Sequence, residues 1–274
     1  MTVPFTWLTE PFQHGFFLRA VLAAVFVLIA ASMLGFGTLT KRYAYLGQGV
    51  SQSMLAGIAV GTVAGLNGTF SAFVAAVIAA LLIAAVGKVN GLGPDAAVAI
   101  ISSAGLSVGV ALISADRTRA VNLNNLLFGN VLGVTWTEVF ILAGAATFTS
   151  IFCVLNGRRL ALSALAPDVA AAHGVPVRRL EMQRLLVVAL ATSASVQVVG
   201  VTLVVAALVI PAATASLLTR TLGATHVVAV VAGAFSAFSG LLISYWFDVA
   251  SGPAVILTAT VLYAATLILR TSRN

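Results

Sequence analysis

The sequence predicts an all-α protein, a polytopic bundle of about nine membrane-crossing helices with eight as the alternative, forming one transmembrane domain over residues 1–274. Three observations predict it. Hydrophobic residues make up 61% of the chain and charged residues only 8%, whereas soluble domains are about a quarter charged. The apolar residues gather into runs near the roughly 20 residues that a helix needs to cross a hydrocarbon core of about 30 Å. An unpaired backbone group in hydrocarbon is costly, so such runs are helical by default.

The elements follow in chain order. Phe5, Thr6, Trp7 and Leu8 read as an interfacial anchor before the first run, and residues 1–14 lack the basic region and cleavage site of a signal peptide. Spans are expected at residues 16–36, 50–66, 69–87, 96–114 and 136–155. On the second, Gly57, Gly61 and Gly65 recur every four positions, two overlapping GxxxG steps that allow another backbone to approach closely. Cys153, the single cysteine, excludes an internal disulfide and a cysteine-cluster metal site and reads as a packing residue.

Residues 157–184 are the one long polar interlude. They place Arg158, Arg159, Arg178, Arg179 and Arg184 around a short alanine-rich helix that begins near Asp168 and is stopped by Gly174 and Pro176. This combination reads as a cytoplasmic docking surface. Run 185–218 is too long for one span, at about 50 Å if continuous. It contains Gly200 and Pro211, so two short passes with a turn near residues 199–202 are expected. Spans at 226–247 and 252–269 complete the bundle.

Charge bias agrees with nine crossings. With the N-terminus outside, the inner side holds Lys41, Arg42, Lys88, the five arginines of the interlude, Arg220, Arg270 and Arg273, leaving Arg19, Arg117 and Arg119 outside. The net charge of +7 therefore belongs to short loops facing anionic lipid, and no continuous basic face for nucleic acid exists.

The polar residues limit the chemistry. Asp95, Asp116, Glu138 and Asp248 lie near span ends and no charged residue sits mid-span, whereas an ion-coupled carrier usually needs one. His14, His173 and His226 are scattered near span boundaries, and Asp248 beside His226 across a helix is a weak pairing. There is no HExxH motif and no carboxylate pair at helical spacing, so the chain does not read as an enzyme. Without a Walker motif it is not itself an ATPase, so energy for transport would come from a partner. Pro211 is expected to bend its helix beside a substrate route that Gln197 would face, although Gln197 could equally be a structural hydrogen bond between helices.

Several motifs in order carry a resemblance. They are Pro11-Phe12-Gln13-His14-Gly15-Phe16-Phe17, Tyr45-Leu46-Gly47-Gln48-Gly49-Val50-Ser51-Gln52-Ser53, Leu127-Phe128-Gly129-Asn130-Val131-Leu132, Asp168 to Pro176, Gln197-Val198-Val199-Gly200-Val201 and Ala207-Leu208-Val209-Ile210-Pro211-Ala212-Ala213-Thr214-Ala215. The chain resembles the permease subunits of ABC importers for zinc, manganese or iron delivered by a cluster-A-type solute-binding protein. The resemblance implies a type II importer-like bundle in the cytoplasmic membrane, a permease homodimer, and a coupling helix that docks on a cytoplasmic ABC ATPase through Asp168, Ala171, Ala172, Gly174, Val175, Arg178 and Arg179. It also implies an extracytoplasmic metal-binding protein as partner, and ATP used by the ATPase with no cofactor on this chain.

One departure matters. Similar permeases carry a Gly-Asp-x-x-Ser-His pattern at the start of the second span, and this chain has Gly47-Gln48-Gly49-Val50-Ser51-Gln52. An amide oxygen suits a hard cation better than zinc and does not offset the desolvation of a bare divalent ion. Gln48, Ser51, Gln52, Gln197 and Pro211 are thus candidates for the path, with no metal site assigned. Alternatives are a metal chelate or other small ligand as cargo, an ion-coupled secondary carrier, or a non-transporting scaffold or receptor.

Overall fold

The computed structural model describes residues 10–13, 15–41, 43, 45–87, 93–115, 129 and 131–271. The Phe5–Leu8 anchor, His14, Arg42, Lys88, Asp116, Arg117, Arg119 and Arg273 lie outside them. The described residues form nine α-helices and no strand: α1 Gly15–Thr40, α2 Leu46–Val63, α3 Gly68–Val86, α4 Pro94–Ala115, α5 Trp136–Leu165, α6 Pro167–Ala172, α7 Val177–Leu218, α8 Leu222–Phe247 and α9 Ser251–Thr271. Short 3₁₀ turns at Glu10–Gln13 and Val131–Gly133 precede α1 and α5.

Seven of these helices are long and apolar enough to cross a membrane. α2 falls outside that set because glutamines, serines and glycines occupy much of it, and it lies buried among its neighbours. α7 counts once in the set but crosses twice.

The second crossing of α7 follows from two distant residues meeting one glycine. At Gly200 the backbone leaves helical geometry (φ 79°, ψ 165°). Thr192 and Leu208, each eight residues from Gly200, both close on Gly47, where an added Cβ would lie 4.0 Å from Thr192 Oγ1 and 2.5 Å from Leu208 Cδ1. In a continuous helix they would stand about 24 Å apart. Arg184 and Leu222 likewise line one small cavity with Gly37. The limbs 177–199 and 201–218 therefore run antiparallel, and the described helices traverse the bundle nine times. The expected turn near 199–202 stands at Gly200, while Pro211 sits buried within helical backbone.

All the basic side chains of the described loops and helix ends except Arg19 share one end, here the basic end, reached by the C-termini of α1, α3, α5 and α9. Asp248 and His226 occupy opposite ends of α8, about 33 Å apart, which removes the pairing weighed from sequence. The polar interlude is more helical than a loop. α5 continues to Leu165, ten residues past the expected span end, and carries Arg158 and Arg159 in its last turns.

Small residues hold the helices together, since lipid gives no hydrophobic drive for helices to associate. Gly57 and Gly61 face α3, where a Cβ on Gly57 would lie 2.5 Å from Ala75 Cβ and one on Gly61 2.5 Å from Ser71 Oγ. Gly65 departs from the expected packing stripe. It follows α2, and Gly65 N and Leu66 N donate to Thr62 O and Gly61 O in a Schellman closure. Gly57→Leu is expected to lower stability by about 2 kcal/mol through overpacking. Gly144→Ala, with nothing within 4 Å, should leave the melting temperature in detergent unchanged, and equal melting of the two variants would remove the α2–α3 contact from the account.

Candidate coupling helix and polar path

At the basic end, α6 is a six-residue helix started by Pro167 and closed by a second Schellman motif. Gly174 N donates to Ala171 O and Val175 N to Ala170 O, both at 3.0 Å, and the φ of +74° at Gly174 is one that a side chain rarely adopts. Ala170 is fully buried and pins α6 to the bundle, while Asp168, Val169, Ala171, Ala172 and Gly174 are exposed and Val175 is half-buried. Asp168 lies in the first turn, where a carboxylate suits the helix dipole. Pro176 then leads into α7, whose first turn carries exposed Arg178 and Arg179. Two cations at a helix N-terminus oppose its dipole, so helix stability does not account for them.

Arg184, grouped with these arginines from the sequence, is not part of that surface. It is 4% exposed, within α7, and its Nη1 donates to Gly37 O at 2.5 Å. Its guanidinium lies over the Tyr43 ring at 5.6 Å, and the Tyr43 hydroxyl donates to Glu181 Oε1 at 3.2 Å. Burial, then the Glu181 charge and hydrogen bond, push the Tyr43 phenol up to about 12, so it keeps the proton that it donates. This cluster ties the start of α7 to the turn between α1 and α2. Only the Glu181/Arg184 spacing of three residues on one helix hinted at it in sequence.

Of the five path candidates, the structure brings three together. Ser51, Gln52 and Gln197 line one cavity of about 110 Å³ with Met54, Leu55 and Val201. The Ser51 hydroxyl donates to Gly47 O at 2.6 Å, which leaves the two amides as the polar groups not held within a helix turn. Gln48, half-buried one turn before Gln52, and Pro211 do not line this cavity.

Gln197 is exposed in the single chain and also borders a crevice of about 450 Å³ toward the end opposite α6. That crevice includes Asn67 and Glu138, which cap helices. Asn67 Oδ1 accepts from Thr69 N, and Glu138 Oε2 accepts from Thr135 N at 2.8 Å in a capping box. Sequence reasoning missed both as lining residues, although the cap signals are legible. Each described histidine has Nδ1 on the carbonyl four residues earlier, His173 on Val169 O and His226 on Leu222 O. Among the described residues no group of three or more His, Cys, Asp or Glu side chains gathers. Cys153 is buried with its Sγ 3.5 Å from Met33 O.

Comparison with known proteins places this geometry. Residues 13–270 match the ABC 3 transport family. The chain is 34% identical over 252 residues to the manganese transport system membrane protein MntC of Halalkalibacterium halodurans, covering 92% of this chain and 86% of that one. It is 29% identical to the chelated iron transport system membrane protein YfeD of Yersinia pestis, over 98% and 90% of the two chains. Among solved structures, PsaBC from Streptococcus pneumoniae in complex with Fab superposes with a TM-score of 0.82 at 28% identity, covering 95% and 94%. With its apolar spans, its nine passes and a match over nearly its whole length, this chain is a multi-pass membrane protein that belongs to the ABC 3 transport family.

Proposed function

We propose that this chain is the permease subunit of an ATP-driven importer that moves a divalent metal ion across the cell membrane, with a separate cytoplasmic ABC ATPase supplying the energy. The ATPase seats on α6 and the first turn of α7, a second permease copy completes the path, and an extracytoplasmic binding protein delivers the cargo at the opposite end. One observation carries the reading: a single helical limb, 177–199, joins the exposed arginines at the basic end to Gln197 beside Gln52, about 28 Å away. ATP binding that draws the two ATPases together moves α6, and the limb passes that displacement to the cavity wall. The path then opens to one face or the other.

Relatives named for manganese and for iron support a metal cargo. Amide and hydroxyl oxygens favour manganese over zinc, because they are harder and weaker ligands than imidazole or thiolate. A metal chelate is the second reading. It is favoured by the weakly coordinating Gln52 and Gln197 and by the relative named for chelated iron.

Uptake of manganese, zinc and iron isotopes into vesicles holding the permease, its ATPase and its binding protein tests this. The parent is expected to accumulate manganese only with ATP. Gln52→His should shift the zinc-to-manganese ratio about tenfold or more toward zinc binding, a change of about 1.4 kcal/mol. Unchanged uptake and selectivity would take Gln52 off the path. Uptake without the ATPase would replace the importer by a secondary carrier, and uptake of chelated iron alone would select the second reading.

A further inference from the structure

The buried guanidinium of Arg184 has more donors than the fold gives it partners. Nη1 is taken by Gly37 O, but Nε and Nη2 are buried without a hydrogen-bond partner among the described residues. The nearby carboxylate of Glu181, one turn earlier, already accepts the Tyr43 hydroxyl. A buried cation left this way carries a large desolvation penalty unless something satisfies both its charge and its donors.

Arg184 borders a cavity of about 30 Å³ that also includes Gly37, Cys153, Gly157, Ala164, Leu222 and His226. A cavity needs roughly 10–15 Å³ to hold one water, so this one has room for at least one water-sized particle. No acidic side chain lines it.

A second, independent feature faces the same space. Leu222 is the first residue of α8, a 26-residue helix, and the N-cap Thr221 makes no side-chain hydrogen bond to the first turn. The leading amides of α8 are thus not capped by that side chain, and the positive end of the helix dipole lies at the cavity wall. A helix N-terminus beside a guanidinium is a recurrent way to hold an anion.

We propose that this cavity is a small-anion site, sized for chloride or a similar monovalent inorganic anion, with Arg184 Nε and Nη2 and the first turn of α8 as its donors. The ion would join α1, α5, α7 and α8 at the basic end, close to the Tyr43–Glu181 contact. Its chemistry is independent of the cargo and of the ATPase.

The test uses the purified full-length chain. At equal ionic strength, melting in sodium chloride is compared with melting in sodium gluconate, whose anion is too large for the cavity. The expected result is a saturable rise of about 3 °C or more with chloride. Crystals grown in bromide should show an anomalous peak within hydrogen-bond reach of the guanidinium. Arg184→Met should abolish the chloride dependence, and so should Ala164→Leu, which fills the cavity while keeping the arginine. Equal melting of the parent in the two salts overturns the proposal, as does water without bromide at the guanidinium. If Arg184→Met fails to fold, the bromide map and Ala164→Leu decide the question, and a chloride effect that survives the filled cavity also rejects the site.

Discussion

Gly200→Val is expected to abolish the folded bundle: the protein should run as aggregate on size-exclusion chromatography, with no cooperative melt. Gly200 has φ 79° and ψ 165°, a region open essentially to glycine alone, and forcing a side chain into it costs about 1–3 kcal/mol. Space is short as well. A Cβ on Gly129 would lie 2.5 Å from Gly200 N and 2.7 Å from Val198 O, so the corner already packs backbone on backbone. Overpacking adds about 1–3 kcal/mol, and the sum of about 2–6 kcal/mol rivals the whole stability of many domains. Gly200→Ala should show an intermediate loss. A valine variant that purifies as a monodisperse protein with the parental melting temperature would refute the hairpin.

Arg178→Glu combined with Arg179→Glu is expected to cut ATP-dependent uptake about tenfold or more without harming the fold. Both side chains are exposed, and among the described residues no hydrogen bond or ion pair holds them. They sit in the first turn of α7, where carboxylates would favour the dipole by about 0.3–1 kcal/mol each. Melting should therefore stay level or rise slightly while uptake collapses, a pair of outcomes that general damage does not produce. On the proposed docking, the loss would arise because an arginine that pairs with a carboxylate or carbonyl of the ATPase is replaced by a like charge or an unpaired acceptor. ATP hydrolysis that persists while uptake falls would show uncoupling. Uptake and hydrolysis both at parental levels would remove α6 and the start of α7 from the docking surface.

The nine passes were legible in the sequence because run length and loop charge are local quantities that the bilayer reads directly. Residues 185–218 exceed one bilayer thickness and contain a glycine, and the charge bias required an even number of crossings there. The stop of α6 at Gly174 was legible for the same reason, since a Schellman closure involves only neighbouring residues. Less legible was Arg184. Its neighbours in sequence are the exposed Arg178 and Arg179, and burial depends on Gly37 and Tyr43, over a hundred residues away. Gly65 shows the reverse case: its spacing matched the packing stripe of Gly57 and Gly61, but α2 ends before it and the residue serves the cap.

Composition and spacing alone determined the membrane class, the alternation of spans, the corner in the long apolar run and the short exposed helix with its arginines, because each is decided within about one bilayer thickness of chain. Only the tertiary arrangement decided that Thr192 and Leu208 meet at Gly47, that Gln52 and Gln197 share a cavity while Gln48 and Pro211 do not, and that Arg184 faces inward with two donors unpartnered among the described residues. Each of those outcomes depends on which helix a small residue admits as its neighbour. In lipid that choice rests on close packing rather than on hydrophobicity, a property that the pattern along one helix does not carry.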